Sequence, residues 1–329
     1  MSSPSHSEMN GVPSTEEKAA NSDGSSVVNG NGGALKSELV ETFLNLEKLD
    51  KNLFRSRHQM VGLKGRSVVY GGQVIGQALV AALNTVDPQF HPHSLHCYFI
   101  KAGNEKMPIL YQVDRVRDGR SFGTRFVKAI QDGEALLTAE LSFHKEEPDS
   151  IVHQWTMPDV AKPDDLASAR ELIQKMLQRA DLTEDQQKNL KFRAANLPEL
   201  FELKPVDPMA FLRFKSDAPK ACLWVKAVGT IGEDDRLHHC AAAFFSDSAM
   251  MGTALLPHVA KGFTPSMVFS LDHSIWIHRY KFRIDEWMLY ETESPIAAAS
   301  RALIHGRLWS QDGTLVLSTA QEGLIRSRQ

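Results

Sequence analysis

An α+β fold of two similar units, each an antiparallel sheet curled around a buried helix, follows from three observations. The chain repeats itself: Gly76-Gln-Ala-Leu79 recurs as Gly252-Thr-Ala-Leu255, and His96-Cys-Tyr-Phe99 as His273-Ser-Ile-Trp276. Leu110-Tyr111 recurs as Leu289-Tyr290, and Gln131-Asp-Gly133 as Gln311-Asp-Gly313. Four landmarks in one order argue for a duplicated unit of domain size. Each copy then sets an apolar helical stretch before a run of strand-like segments. Turns between those segments are too short for crossover helices, which excludes a parallel βαβ arrangement.

Residues 1–34 are rich in Ser, Gly and Asn, lack the apolar core of a signal peptide, and read as a disordered tail. Leu39, Phe43, Leu46 and Leu49 recur at helical spacing and predict a short amphipathic helix. The first unit, residues 35–146, carries a helix over 73–86 that is apolar on most faces and therefore buried. Strands are expected at 95–101, 108–116, 123–131 and 134–145, punctuated by Ala102-Gly103, Asp118-Gly119 and Asp132-Gly133. Residues 147–205 read as a surface linker with helices at 164–179 and 184–196, the second opened by the capping-box spacing of Thr183 and Gln186. The second unit, residues 206–329, repeats the order with a helix at 248–256 and strands at 267–278, 287–294, 300–311 and 314–325.

The chain has 329 residues, 42% hydrophobic and 23% charged, the balance of a soluble globular protein. A net charge of -3 gives no electrostatic reason to expect nucleic acid or an anionic membrane as partner. Cys97, Cys222 and Cys240 are far apart in apolar settings, the pattern of buried thiols in a reducing compartment. No apolar run approaches the ~20 residues that span a bilayer.

Several short motifs dissolve on inspection. Gly119-Arg-Ser-Phe-Gly123 fits the pattern of a hydrolase nucleophile elbow, but it lies between two strand-like runs instead of between strand and helix, so Ser121 is rejected. His91, His93 and His96 do not share one strand face, and His238 and His239 are adjacent; neither set has partners that would complete a metal site. Gly72-x-x-x-Gly76 lacks the setting of a nucleotide fingerprint, and close packing of a helix against the sheet accounts for it. No metal or cofactor is therefore expected.

Comparing the copies is more informative. In the last strand Leu315, Leu317, Thr319 and Gln321 share a face that is Ala135, Leu137, Ala139 and Leu141 in the first copy. Gln321 thus replaces a leucine, and a buried amide left unpaired costs about 1–3 kcal/mol, so it needs a partner. Asp247 falls just before the second helix, where the first copy has Gly71; its ordinary reading is an N-cap. Ser270 aligns with His93. The first copy keeps Gly71, His93 and Leu141, which predicts two units but one site, with His93 a lesser candidate.

The same residues carry a family resemblance. Tyr70-Gly-Gly-Gln-Val-Ile-Gly-Gln-Ala-Leu79, His93-Ser-Leu-His-Cys-Tyr-Phe99 and Arg117-Asp-Gly-Arg-Ser-Phe122 resemble the first half of the type II acyl-CoA thioesterases. Phe269-Ser-Leu-Asp-His-Ser-Ile-Trp-Ile-His278 and Ser318-Thr-Ala-Gln-Glu-Gly323 resemble the second half, and Gly252-Thr-Ala-Leu-Leu-Pro-His258 is similar to the peroxisomal branch. The resemblance implies a double hotdog fold, an acyl-CoA substrate, and hydrolysis to fatty acid and CoA. It places the family's catalytic Asp, Ser or Thr, and Gln on Asp247, Ser270 and Gln321. It also implies a peroxisome, although Ser327-Arg328-Gln329 matches only part of a Ser-Lys-Leu address; the cytoplasm is the alternative.

In this reading Gln321 and Asp247 hold and polarise an attacking water, and Ser270 fixes the constellation. Asp247 at a helix N-terminus is expected to be unusually acidic. Arg117, Arg120, Arg279, Lys281 and Arg283 read as solvated charges and are not assigned to CoA. An enoyl-CoA hydratase and an inactive acyl-CoA binding module are the rival readings. Exposed sheet edges predict a homo-oligomer, a dimer or tetramer.

Overall fold

The computed structural model describes residues 36–64, 67–215 and 218–327. The expected disordered tail lies outside them. A single π-helical turn, Leu39–Phe43, leads into β1 (Leu46–Asp50) and β2 (Leu53–Ser56), so the expected helix over Leu39–Leu49 is mostly a hairpin. Helix α1 (Gly71–Leu83) precedes β3 (Phe90–Phe99), β4 (Leu110–Asp118), β5 (Phe122–Gln131) and β6 (Glu134–Lys145).

The next region holds α2 (Ala169–Leu177) and α3 (Glu184–Ala195), each opened by a capping box, Ser168 with Glu171 and Thr183 with Gln186. Strands β7 (Phe201–Pro205) and β8 (Lys220–Ala227), with the short α4 (Pro208–Phe211) between them, were not anticipated. Then come α5 (Asp235–Ser246), α6 (Met250–Val259), β9 (Pro265–Ser270), β10 (Asp272–Ile277), β11 (Met288–Ala298), β12 (Arg301–Ser310) and β13 (Leu315–Ser327).

The expected helix at 248–256 is therefore α6, and α5 is an addition. The polar start of α5 and the pair His238-His239 hid its helical character. Both imidazoles are buried and paired with backbone. The His238 ring lies 2.9 Å from the Gly232 carbonyl and accepts from the Ile284 N–H, while that of His239 lies 2.7 Å from the Tyr280 carbonyl. Burial depresses the His239 pKa to about 4.

One thirteen-stranded sheet, among the described residues, runs β1-β2-β4-β5-β6-β3-β10-β13-β12-β11-β8-β7, with β9 on β13 outside that path. The order is a palindrome: each strand of the first copy has its counterpart at the mirrored place. Two sheets were expected, yet they are continuous because β3 pairs antiparallel with β10. There Cys97 faces His273 and His96 faces Ser274. Since His96 and His273 are repeat equivalents, those two pairings exchange under the internal two-fold. The edges where the copies meet are thus satisfied within the chain.

Helix α1 packs on β3–β6 and against α5. A methyl group on Gly72 would overlap the Phe244 carbonyl, and one on Gly76 would lie 3.2 Å from the Cys240 carbonyl oxygen. These glycines serve helix–helix approach, not approach to the sheet as the sequence suggested. At the far end of α1, the fully buried Arg125 donates to the Thr85 carbonyl and hydroxyl, to the Arg117 and Thr124 carbonyls, and to Asp118. The Gly119–Gly123 segment is the β4–β5 connection beside this arginine.

The turn joining β11 and β12 holds Ala299 and Ser300 at φ of 49° and 59°. Two consecutive positive φ values mark a type I′ hairpin, which favours Asn-Gly and penalises a Cβ-bearing alanine. Replacing Ala299-Ser300 by Asn-Gly is expected to stabilise the protein by about 1 kcal/mol, read as a higher thermal midpoint; a lower midpoint contradicts this account of the turn.

Candidate active site

Asp247, Ser270 and Gln321 converge from three elements. Gln321, on β13, is wholly buried; its Nε2 donates to Asp247 Oδ1 at 3.0 Å and to Ser270 Oγ. Ser270 Oγ donates to the same Asp247 oxygen at 3.3 Å. The amide at a leucine position in the first copy therefore has its partners, as burial demanded.

A bulge lets Ser270 take part. Ser270 pairs with Gly323 and Ser274 with Ala320, four positions on one strand against three on the other. The surplus residue is Leu271, whose N–H donates to the Glu322 carbonyl while its own carbonyl accepts from the Phe99 N–H. The Asp272 carboxylate accepts from the Glu322 N–H at 2.7 Å. Strict alternation would send residues 270 and 273 to opposite faces; one extra residue brings both toward the core. The first copy has a matching register shift around His93.

Asp247 sits where α5 ends, as its C-cap residue. It does not cap α6, whose N-cap is Ala249 and which has no side-chain cap. The expected N-cap role is corrected, and with it the helix-dipole argument for an unusually acidic Asp247. The end of α5 is instead held by two tyrosines. Tyr290 donates to the Ser246 carbonyl at 2.8 Å, and Tyr70 donates to the Phe244 carbonyl at 2.9 Å. Burial, reinforced by the nearby Asp247 charge, raises the pKa of both phenols and keeps them as donors.

Sequence reasoning missed His273. Its imidazole is fully buried, with Nδ1 3.0 Å from Gln321 Oε1 and Nε2 2.8 Å from Ser246 Oγ. The signal in the sequence is a histidine at alternating spacing with Ile275 and Ile277, which puts it on their face. His93 is not brought to the site. Its ring contacts Ser142 at 2.8 Å and lies against Phe122 and His144.

A cavity of about 840 Å³ reaches Asp247 and Ser270 and is walled by apolar side chains that include Met60, Leu63, Ile100, Leu200, Phe201 and Phe269. Gly71, at the start of α1, also lines it, and a methyl group there would lie 2.9 Å from Asp247 Oδ2. The site thus joins the second copy's carboxylate to the first copy's helix start. Gln321 does not line the cavity, which leaves Asp247 and Ser270 as the exposed members of the trio.

Comparison with known proteins supports one identity. Sequence profiles described as "Acyl-CoA thioesterase" and "Acyl-CoA thioesterase N-terminal domain" match residues 201–324 and 62–144. Human acyl-coenzyme A thioesterase 8 is 48% identical over 296 residues, covering 89% of this chain and 91% of that protein. Acyl-CoA thioesterase 2 of Haemophilus influenzae is 37% identical, covering 86% and 95%. The peroxisomal acyl-coenzyme A thioester hydrolase 1 of Saccharomyces cerevisiae is 26% identical, covering 87% and 94%. Among solved structures, the acyl-CoA thioesterase II TesB2 of Mycobacterium marinum superposes with a TM-score of 0.69 at 34% identity, covering 88% of this chain and 98% of that one.

Burial lowers the His273 pKa below the ordinary histidine value, with the Asp247 charge opposing the shift. The unfolded ring takes up a proton near pH ~6.5, whereas the folded ring resists it. The associated stability is complete above that pH and is lost as pH falls toward the folded pKa. The melting temperature should therefore fall between about pH 7 and about pH 5, and His273→Asn should flatten part of that slope. An unaltered slope in the variant would show that the ring is not held neutral.

Proposed function

We infer the roles of the site residues from one premise: this chain belongs to the type II acyl-CoA thioesterase family and hydrolyses acyl-CoA to a carboxylic acid and free CoA. The proposed nucleophile is a water held at the cavity by Asp247 and Ser270, with Gln321 fixing both from behind. The carrying observation is that one buried amide nitrogen bonds to the carboxylate and the hydroxyl together. This revises the expectation that Gln321 touches the water itself. Its two N–H groups are directed at Asp247 and Ser270, and its side chain is away from the cavity.

A thioester carbonyl is reactive enough for direct attack, so no acyl-enzyme is needed. Asp247 Oδ1 takes the bonds from Ser270 and Gln321, which leaves Oδ2, on the Gly71 side, to accept the water's proton. The water oxygen bonds to the carbonyl carbon, and negative charge gathers on the carbonyl oxygen. In the first turn of α1 the Gln73 and Val74 amides bond to the Tyr70 carbonyl, which leaves those of Gly71 and Gly72 as the donors for that charge, and the positive end of the helix dipole favours it. Collapse of the tetrahedral species breaks the C–S bond, and the departing thiolate receives the proton.

The apolar cavity fits a fatty acyl chain, and its volume falls in the range of ordinary ligand pockets. The repeat supports the two units expected at 35–146 and 206–329 with a linker between, the second extended by β7, which pairs with β8, and a homo-oligomer belongs to the same reading. Likeness to the yeast peroxisomal hydrolase supports a peroxisomal location, with the cytoplasm as the alternative.

Release of free thiol from palmitoyl-CoA tests these roles. Asp247→Asn is expected to lower kcat by at least about 100-fold with the fold intact by circular dichroism. A folded variant turning over near the wild-type rate sinks the assignment. Gly71→Ala is expected to lower kcat by about tenfold or more, because the added methyl must displace Asp247 Oδ2 or the Phe99 ring. Undiminished turnover there would show that the contact between Gly71 and Asp247 is not needed.

A further inference from the structure

We infer that His273 is a positioning residue for hydrolysis, fixing which way the Gln321 amide faces. The inference rests on the roles given above to Asp247 and Gln321. It follows from counting donors and acceptors. An ionised carboxylate only accepts, so the amide end 3.0 Å from Asp247 Oδ1 must be the NH₂ group. Gln321 Oε1 is then the end that faces His273 Nδ1 at 3.0 Å. Two acceptors would repel, so Nδ1 carries the ring proton and donates it. In the neutral ring Nε2 is left as acceptor, so the Ser246 hydroxyl, which also lies 2.9 Å from the Ala243 carbonyl, turns its one proton to Nε2 at 2.8 Å.

The result is a chain with one direction: Ser246 O–H to His273, His273 Nδ1–H to Gln321, and Gln321 N–H to Asp247. Its far end is well anchored. Ser246 closes α5, its carbonyl accepts from Tyr290, and Tyr290 in turn contacts Thr319 Oγ1 at 3.0 Å. His273 itself lies on β10 between β3 and β13, with no exposed surface from which water could replace it.

Asp247 holds the amide in this orientation most firmly while it is ionised. After Oδ2 takes the water's proton, Oδ1 is a neutral acceptor that holds the amide less firmly, so a turn of the amide is opposed less from this side. That turn would direct the NH₂ group at His273 and remove the donor shared by Asp247 and Ser270. The Nδ1–H of His273 opposes the turn at this stage, so the site returns to its starting arrangement after each cycle.

Two substitutions separate positioning from packing. In His273→Asn the side-chain amide nitrogen can take the place of Nδ1 and still donate to Gln321. In His273→Gln the longer amide reaches the place of Nε2, toward Ser246, and leaves Gln321 without its donor. With palmitoyl-CoA, kcat of the Asn variant should exceed that of the Gln variant by at least about tenfold, a ratio equivalent to one charge-assisted or buried hydrogen bond. KM should change by less than about twofold in both, because the ring does not line the cavity. Equal kcat values, a better Gln variant, or an effect confined to KM overturns the inference. Histidine-selective ¹⁵N NMR on the wild-type protein gives a readout that no folding defect can obscure. Protonated Nδ1 is expected for His273, and a ring protonated at Nε2 alone overturns it. Failure of the Asp247→Asn result, by contrast, strikes the roles of the trio and leaves the Asn–Gln comparison to be judged separately.

Discussion

The pairing of β3 with β10 is the constraint on which the site depends. Each copy alone has an unsatisfied strand edge there, and joining the edges makes one sheet from two. The internal two-fold passes between the Cys97–His273 and His96–Ser274 pairings, so whatever lies above this seam belongs to both copies. It brings α1 against α5, and with it Gly71 against Asp247. Loosening the seam would therefore alter the carboxylate's surroundings without changing any of the three polar residues.

Within that frame the polar residues are set by one irregularity and one buried ring. The bulge at Leu271 places Ser270 and His273 on the same side of the sheet, three positions apart, where a regular strand would separate them. His273 then stands behind Gln321, and Gln321 stands behind Asp247 and Ser270. Polarity thus decreases in exposure from the cavity inward, and each buried group meets a partner of the opposite hydrogen-bonding kind. The arrangement concentrates several polar groups in an otherwise apolar core, which is tolerable only because they satisfy one another.

The duplication, the α+β class and the antiparallel order could be read from recurring landmarks and from turn-sized gaps between strands. Asp247, Ser270 and Gln321 were visible because the first copy has Gly71, His93 and Leu141 in their places. What escaped has physical causes. A bulge leaves no mark on hydrophobic periodicity, so the shared face of Ser270 and His273 could not be deduced. Helix α5 opens with charged residues and carries two histidines whose burial depends on the distant carbonyls of Gly232 and Tyr280. The N-cap reading of Asp247 assumed that a helix had to begin beside it, whereas one ends there. The expectation of two antiparallel sheets did not extend to their joining, because nothing local to β3 or β10 declares that they pair.

The empty place at Gly71 shows what the difference between the two copies avoids. The internal two-fold makes residue 71 the equivalent of residue 247, and the two positions meet. Were both to carry aspartate, as in a symmetric pair of second units joined in this geometry, two carboxylates would face each other at contact distance. Like charges so close cannot both ionise, and one would be forced to keep its proton. The basic oxygen would then be shared between two half-competent sites. With glycine on one side of this contact, Asp247 meets no second carboxylate there.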